Sequence, residues 1–358
     1  MLGKSHFNRR ALLLGLSGVF AAFAVAPIRL QSATADQSSP QLAQSRVTLT
    51  GAGASFPAPL YQRWFSEYSK LNPNVQVSYQ SVGSGAGVNQ FTAGTVDFGA
   101  SDVAMTDAEI AKVSKGVVLL PMTAGSVVVV FNVPGVTSLR LSRTALAGIF
   151  LGQIKTWNNP AIAATNKGAK LPNLPIRIVH RSDGSGTTAL FTRYLSAISP
   201  QWKNGPGEGR SVQWPTGTGA KGNEGVSALL EQTKGGIAYV EYFYAKSNKI
   251  PAAALQNRSG NFIQANAQTS SATLAGIKLP ENLRGFDADP TGPNEYPIVS
   301  FTWIMAYRNM GNPTKARALR QVLTWSAREG QAFADDLGYI PLPPSVQQRV
   351  IKAINLIQ

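Results

Sequence analysis

The chain has 358 residues, room for two domains, and its 44% hydrophobic and 14% charged content is typical of a folded globular protein, which excludes a disordered chain. The formal net charge is +15, but the basic residues are scattered, without a basic run or an aromatic-interleaved stripe, so we expect no nucleic-acid partner. The lack of cysteine excludes disulfides, thiolate metal sites, cysteine nucleophiles and a lipidated N-terminal cysteine. With two histidines, His6 and His180, a histidine-rich metal cluster is not expected.

The first 35 residues have the features of an export signal. Residues 1–10 are basic, Ala11–Ala26 is apolar and uncharged but short for a membrane span, and Ala33–Ala35 matches a small-x-small cleavage site. The sequence therefore predicts a secretory signal peptide over residues 1–35, followed by a polar, Gln/Ser-rich tether over residues 36–46.

Arg9 and Arg10 lie side by side in the basic segment, which leaves twin-arginine export open beside general secretion. An uncleaved membrane anchor is the alternative interpretation of the same segment. With a cleaved signal, we expect the protein to be periplasmic and, because it has no cysteine, not lipidated.

A strand-like run, a loop of small residues and a helix follow one another three times before residue 190. The three runs and their loops are Val47–Thr50 with residues 51–57, Val75–Tyr79 with residues 83–87, and Ile176–Val179 with residues 182–188. A further strand, Thr95–Ala100, ends at Ser101 and Asp102. This alternation predicts an α/β fold with largely parallel sheets, whose ligands lie beyond the carboxyl ends of the strands.

The remaining elements are predicted less regularly. Strands are expected at Val117–Pro121 and Ser126–Phe131, with a crossing between domains at 123–125, followed by a helix over Leu146–Trp157 and a loop over Asn159–Lys170. A helix Val226–Gln232, with Asn223 as N-cap, precedes a strand Gly236–Val240 and an irregular segment Pro280–Pro297. A strand Ile298–Tyr307 then returns to the first domain, and the closing helices are Ala316–Ala327 and Val346–Ile357.

The stretch Ile176–Thr188 is the strongest candidate for a functional loop. A Gly/Ser/Thr loop between a strand and a helix N-terminus presents backbone N–H groups and a positive dipole end, which suits an anion. Arg181 adds a planar fork of donors that matches a tetrahedral oxyanion, and Asp183 is placed to hold that fork. The alternative is an ordinary strand–turn–helix junction in which Asp183 or Ser185 serves only as N-cap.

Several motifs occur together in a characteristic order. They are TGAGASFPAPLYQRW at 50–64, GSGAG at 83–87, TVDFGASD at 95–102, IFLGQIKTWNNPAI at 149–162, HRSDGSGTT at 180–188, GNEGV at 222–226 and IAYVEYFYA at 237–245. From about residue 47 to the C-terminus, the chain resembles the periplasmic phosphate-binding proteins of bacterial phosphate ABC transporters, the PstS family.

The resemblance implies a type II periplasmic-binding-protein fold: two α/β lobes, with mixed, mostly parallel sheets, joined by two crossing strands. We expect lobe I to comprise residues 47–122 and 299–358, and lobe II residues 126–296. It also implies high-affinity binding of inorganic phosphate by a monomer, delivery to the membrane permease subunits of an ABC importer, and no cofactor, metal or catalytic residue.

Carried over position by position, the resemblance implies a set of phosphate contacts from four loops, namely Ser55, Phe56, Ser84, Asp102, Arg181, Ser185, Gly186 and Thr187, with Asp183 supporting Arg181. The chain departs from the family pattern in three places. Ser55 stands where threonine is expected, Gly85 where a second serine is common, and His180 where another arginine can occur. The histidine lowers the expected local positive charge, which bears on affinity rather than on identity.

Asp102 is unusual for an anion site, because a carboxylate repels an anion unless the anion has a proton to donate. Inorganic phosphate near neutral pH has one and sulfate does not, so Asp102 is expected to select protonated oxyanions, with arsenate not rejected. The alternative is that Asp102 caps a helix near Thr106–Ala111.

Other functions remain possible from the residues alone. The closest is a binding protein for another tetrahedral oxyanion of the sulfate type, which predicts no carboxylate in the pocket. A secreted phosphoester hydrolase could use Ser185 as nucleophile and His180 as base, although metal ligands and a G-x-S-x-G motif are lacking. The loose dinucleotide motif at Gly184–Ala189 and the Asp97–Gly99 triplet lack the context that their functions need.

Overall fold

The computed structural model describes residues 46–358. The predicted signal peptide, residues 1–35, and the predicted tether, except its last residue, lie outside the described residues. Within the described part of the chain, no helix combines the length and apolar character needed to cross a membrane.

The described residues form eleven strands and thirteen α-helices. The strands are β1 Val47–Gly53, β2 Val75–Ser81, β3 Phe98–Ser101, β4 Val117–Asn132, β5 Arg140–Leu141, β6 Arg177–Arg181, β7 Thr218–Ala220, β8 Gly236–Glu241, β9 Ala254–Gln256, β10 Phe262–Ile263 and β11 Val299–Tyr307. The helices are α1 Ala58–Leu71, α2 Ser84–Thr92, α3 Asp107–Ile110, α4 Arg143–Phe150, α5 Pro160–Ala163, α6 Gly186–Ile198, α7 Pro200–Asn204, α8 Gly222–Gln232, α9 Tyr242–Ser247, α10 Ala267–Gly276, α11 Pro313–Ala327, α12 Ala334–Leu337 and α13 Pro344–Ile354, with a 3₁₀ turn at Glu329–Phe333.

Eight strands form one mixed sheet in the order β2-β1-β3-β11-β4-β8-β6-β7. Its outer parts are two parallel groups, which we call the first strand trio (β2, β1, β3) and the second strand trio (β8, β6, β7). The antiparallel pair β11 and β4 separates them, and each member of this pair is antiparallel to the trio that it adjoins. The fold is therefore mixed α/β, as predicted.

The antiparallel centre makes the two trios point toward each other. Ser101, the last residue of β3, is level with Trp303 of β11, which pairs with Pro121 of β4. Glu241, the last residue of β8, pairs with Val127 of the same β4. The carboxyl ends of both trios thus face the middle of β4, and ligand-binding loops of parallel strands lie at that edge.

Four details of the predicted elements are wrong. The loop expected over residues 159–170 contains helix α5, Pro160–Ala163, which Asn159 caps. The two strands expected at 117–121 and 126–131 are one strand, β4, because Thr123, Ala124 and Gly125 keep antiparallel pairing with β11. The helix expected to reach Trp157 ends at Phe150, and Gly152 follows with φ +73°.

The fourth error concerns Asn223, which is not the N-cap of its helix. Helix α8 begins at Gly222, with Lys221 at the N-cap, so Asn223 lies inside the first turn. Gly222 has φ +72°, a backbone conformation that residues with a side chain rarely adopt. The helix therefore begins at this glycine, earlier than the apolar pattern suggests.

The core lies on both faces of the sheet and is formed by the amphipathic helices. Helix α1 starts at Pro57 and Pro59, as expected, and buries Trp64 and Phe65, with the Trp64 indole donating to the Gly330 carbonyl at 2.6 Å. Helix α11 buries Leu319, Val322 and Leu323 on one face. Burial of these faces anchors the strands whose ends carry the polar loops.

Leu323→Ala tests the contribution of this packing. Leu323 is fully buried, so the variant loses apolar contact and leaves a cavity, and we expect the free energy of unfolding to fall by about 2–5 kcal/mol. Urea denaturation measures the change. Arg317→Ala, an exposed position on the same helix, is the control and is expected to change stability by less than about 0.5 kcal/mol. Equal effects of the two substitutions would contradict the packing described for α11.

Candidate functional site

All of the sequence-predicted site residues lie at or just beyond the carboxyl ends of the two strand trios. In the first trio, Ser55 and Phe56 follow β1, Ser84 opens α2 after β2, and Asp102 follows β3. In the second, Arg181 ends β6, and Ser185, Gly186 and Thr187 begin α6. The sheet therefore brings together loops that lie more than 100 residues apart in the sequence.

Ser84 contacts the second trio directly. Its hydroxyl oxygen accepts hydrogen bonds from the Gly186 N–H at 3.1 Å and from the Asp102 N–H at 3.3 Å, and it lies 3.5 Å from Asp102 Oδ2. A Cβ atom at position 186 would lie 2.5 Å from this hydroxyl oxygen and 2.6 Å from Asp102 Oδ2. Only glycine allows this approach, which explains the small residue at the start of α6.

Arg181 is buried, with 4% of its surface exposed, and is paired with Asp183. Its Nε and Nη2 donate to the two carboxylate oxygens at 2.7 Å and 2.6 Å. Burial by itself would raise the pKa of Asp183, but the hydrogen bonds and charge of Arg181 outweigh it and hold this pKa below its usual value. The remaining nitrogen, Nη1, lies 3.4 Å from the Thr187 hydroxyl and is oriented by the pair.

Asp102 is buried and accepts a hydrogen bond at Oδ1 from the Thr302 hydroxyl of β11, at 2.9 Å. Burial raises the pKa of this carboxyl to about 7, against the lowering effects of Thr302, Arg181, Ser84 and Arg210. The alternative role as a helix cap does not hold. Thr106 caps α3, with its hydroxyl accepting from the Glu109 N–H at 3.2 Å.

Ser55 and Thr187 meet at the buried side chain of Asn223. Asn223 donates to the Ser55 hydroxyl from its backbone N–H at 3.1 Å and from Nδ2 at 2.9 Å. The same Nδ2 lies 3.2 Å from Thr187 Oγ1. Phe56 is also buried, and its carbonyl accepts from the Tyr339 hydroxyl at 2.7 Å. Each of these residues is therefore held by contacts from a different part of the chain.

Ser185 and His180 are engaged separately. The Ser185 hydroxyl caps α6 by accepting from the Thr188 N–H at 3.0 Å, which is the capping role that the sequence also allowed. The His180 ring is stacked on Trp214, with centroids 5.0 Å apart, and its Nδ1 contacts the Arg181 carbonyl. In the part of the chain that the structure describes, no group of three or more histidine, aspartate or glutamate side chains could hold a metal ion.

Sequence reasoning missed two polar residues of this site. Asn223 has a signal, because it lies in the GNEGV motif after a glycine-rich loop, but that pattern predicts only a helix cap. Thr302 had none, since it lies within an apolar strand 200 residues from Asp102. Only strand order shows that β11 lies beside β3.

Comparison with known proteins gives consistent results. Residues 34–329 match the family model described as the PBP superfamily domain. The phosphate-binding protein PstS of Pasteurella multocida is 44% identical over 308 residues, 85% of this chain and 88% of the relative. The protein of the same name from Methanocaldococcus jannaschii is 38% identical over 340 residues, 88% of this chain and 87% of the relative.

Solved structures show the same fold. A high-affinity periplasmic phosphate-binding protein, PfluDING, solved with phosphate bound, superposes with a TM-score of 0.67 at 22% identity, over 85% of this chain and 93% of that chain. The crystal structure of a DING protein gives a TM-score of 0.68 at 24% identity, over 84% and 93%. The alignments with the two sequence relatives span most of both chains at 38–44% identity, which establishes the family. The chain belongs to the PBP superfamily and, within it, to the PstS family.

Proposed function

We propose that this protein binds inorganic phosphate outside the cytoplasm and delivers it to the permease subunits of an ABC importer, without catalysing a reaction. The observation that carries the proposal is the meeting of Arg181, Asp102 and the Ser84–Gly186 contact at the facing ends of the two strand trios. Its sequence relatives named PstS are phosphate-binding proteins, which supports the same ligand.

Hydrogen-bond donors from both trios would replace the water around the anion. The proposed donors are the hydroxyls of Ser55, Ser84, Ser185 and Thr187, the backbone N–H groups of Phe56 and Gly186, and the Arg181 guanidinium. The Asp102 carboxyl is a further proposed contact and accepts the proton of the anion. A buried anion needs such donors, and each charge-assisted bond contributes about 1.5–3 kcal/mol. Several together exceed the association cost and reach the roughly −8 kcal/mol of micromolar binding.

Asp102 would distinguish phosphate from sulfate. When ionised, it accepts a hydrogen bond from a protonated oxyanion and repels one without a proton. Arsenate carries a comparable proton and would be accepted. A general oxyanion receptor of the sulfate type is therefore disfavoured by the buried carboxyl at this position.

We further propose that residues 47–122 with 299–358, and residues 126–296, are two lobes that close on the ligand. Two ion pairs join the proposed lobes near Asp102: Arg210 to Glu109 at 2.5 Å and Arg284 to Asp107 at 2.7 Å. The interactions of Ser55 with Asn223 and of Ser84 with Gly186 also cross this division. These contacts would stabilise a closed state that the permease recognises.

The proposed location is the periplasm, after removal of the signal peptide, and the proposed state is a monomer. The sequence has no cysteine, so it offers no thiol for a lipid anchor. A hydrolase is less well supported, since the Ser185 hydroxyl contacts a backbone N–H of α6 and the His180 ring packs on Trp214.

Arg181→Ala tests the site itself. Loss of the guanidinium removes a charge-assisted donor, so we expect phosphate affinity to fall by about 100-fold or more while the protein remains folded. Titration calorimetry measures the affinity and thermal unfolding checks the fold. Arg177→Ala, an exposed position on the same strand, is the control and should bind as wild type does. Wild-type binding by Arg181→Ala would show that phosphate binds elsewhere.

Asp102→Asn tests selectivity. At pH 8 the amide no longer repels a fully ionised anion, so we expect the preference for phosphate over sulfate to fall by about 100-fold, mostly through tighter sulfate binding. Competition titrations with the two anions give the ratio. Asp97→Asn, which alters a carboxylate paired with Lys315 just before β3, should leave the ratio unchanged. An unchanged ratio in Asp102→Asn would remove the proposed filter.

The pH dependence of sulfate binding tests the protonation of Asp102. Its pKa of about 7 means that the carboxyl is increasingly protonated as pH falls below 7, when it can donate a hydrogen bond to an ionised anion. Sulfate affinity of the wild-type protein should therefore rise as the pH is lowered from 8 to 5, and fall again when the pH is raised through 7. The same titration on Asp102→Asn should be flat. Identical slopes for both proteins would assign the pH dependence to another group.

A further inference from the structure

The hydroxyls of Ser55 and Thr187 have their acceptor capacity filled. A hydroxyl oxygen has two lone pairs and one hydrogen. Ser55 Oγ accepts from the backbone N–H and from Nδ2 of Asn223, at 3.1 Å and 2.9 Å. Thr187 Oγ1 accepts from Asn223 Nδ2 at 3.2 Å and from Arg181 Nη1 at 3.4 Å. Each oxygen thus has two N–H donors, and its own hydrogen is what it can still offer.

The orientation of the Asn223 amide is fixed by a second contact. The backbone N–H of Glu241, at the end of β8, lies 3.0 Å from Asn223 Oδ1. A backbone N–H can only donate, so the amide oxygen must face Glu241 and the NH₂ group must face Ser55 and Thr187. Asn223 is 0% exposed, so solvent does not compete for these bonds.

We propose that Asn223 is a positioning residue that makes the Ser55 and Thr187 hydroxyls obligatory hydrogen-bond donors, so that the site accepts only a ligand rich in acceptors. This inference rests on the proposed phosphate-binding function and assigns a role to the GNEGV motif. The two hydrogens of one amide group serve one hydroxyl after β1 and one at the start of α6. The donors are therefore oriented before the anion arrives, which lowers the cost of ordering them on binding.

Two substitutions at Asn223 separate polarity from shape. In Asn223→Asp the side chain accepts instead of donating, so the two hydroxyls turn toward it and away from the ligand, and a negative charge is added. We expect phosphate affinity to fall by about 100-fold or more at pH 8. In Asn223→Leu, which is neutral and of similar size, the hydroxyls lose their orientation, and we expect a loss of about 10-fold. Titration calorimetry with inorganic phosphate measures both.

A double-mutant cycle distinguishes positioning from a purely structural role. In a Ser55→Ala/Thr187→Val background, the hydroxyls that Asn223 orients are absent, so adding Asn223→Leu should change phosphate affinity by less than about 2-fold. A structural role would instead cause the same loss in both backgrounds, which would overturn the inference. Thermal unfolding without phosphate reports whether each variant is folded. Asn223→Ala, which adds no bulk, replaces Asn223→Leu if the latter does not fold.

A matched control comes from another buried asparagine. Asn257, 1% exposed, donates from Nδ2 to the carbonyls of Gly292 and Pro293 at 3.1 Å and 3.0 Å, beside the three-stranded sheet of β5, β9 and β10. Asn257→Leu should lower the thermal midpoint but leave phosphate affinity unchanged. If Asn223→Asp and Asn223→Leu both bind phosphate with wild-type affinity, the inference about Asn223 is overturned but the proposed function is not. Failure of the wild-type protein to bind phosphate would instead overturn the proposed function.

Discussion

The buried ion pair of Arg181 and Asp183 is the interaction on which the candidate site depends. A guanidinium removed from water is stable only if its donors are paired, and Asp183 takes two of them in parallel geometry. The pair fixes the plane of the guanidinium at the end of β6, so that Nη1 faces Thr187. Loss of the carboxylate would leave a buried, unpaired charge with no defined direction.

The antiparallel strands in the middle of the sheet explain why one site can use two sets of loops. A fully parallel sheet would direct the carboxyl ends of all its strands to the same edge. Here β4 and β11 reverse the direction, so the two trios meet end to end near residues 121–127 of β4. The small residues Ser84 and Gly186 then permit direct contact between the loops.

Burial also raises the pKa of two carboxyl groups beside these loops, Glu241 and Asp102. Burial raises the pKa of Glu241 well above its usual value, and its Oε2 accepts from the Phe243 N–H at 2.8 Å. Asp102 has more polar partners, including Thr302 and Ser84, and its pKa of about 7 is raised from the usual value of an aspartate. Arg181 Nη1, which Asp183 does not engage, is then the cationic donor oriented toward Thr187.

The sequence by itself determined the α/β class, the order of most strands and helices and the loops that carry polar residues, because alternating apolar runs and Gly/Ser/Thr loops are local signals. Tertiary structure decided what those signals could not specify. Residues 117–132 are one strand because β11 pairs with residues 117–126 and β8 with residues 127–132, and both partners are distant in the sequence. Asn223 and Thr302 join the site because strand order, not sequence distance, places them beside Ser55 and Asp102. Hydrogen-bond partners and burial are set by the packed chain, and these orient the Asn223 amide toward Ser55 and Thr187 and raise the pKa of Asp102.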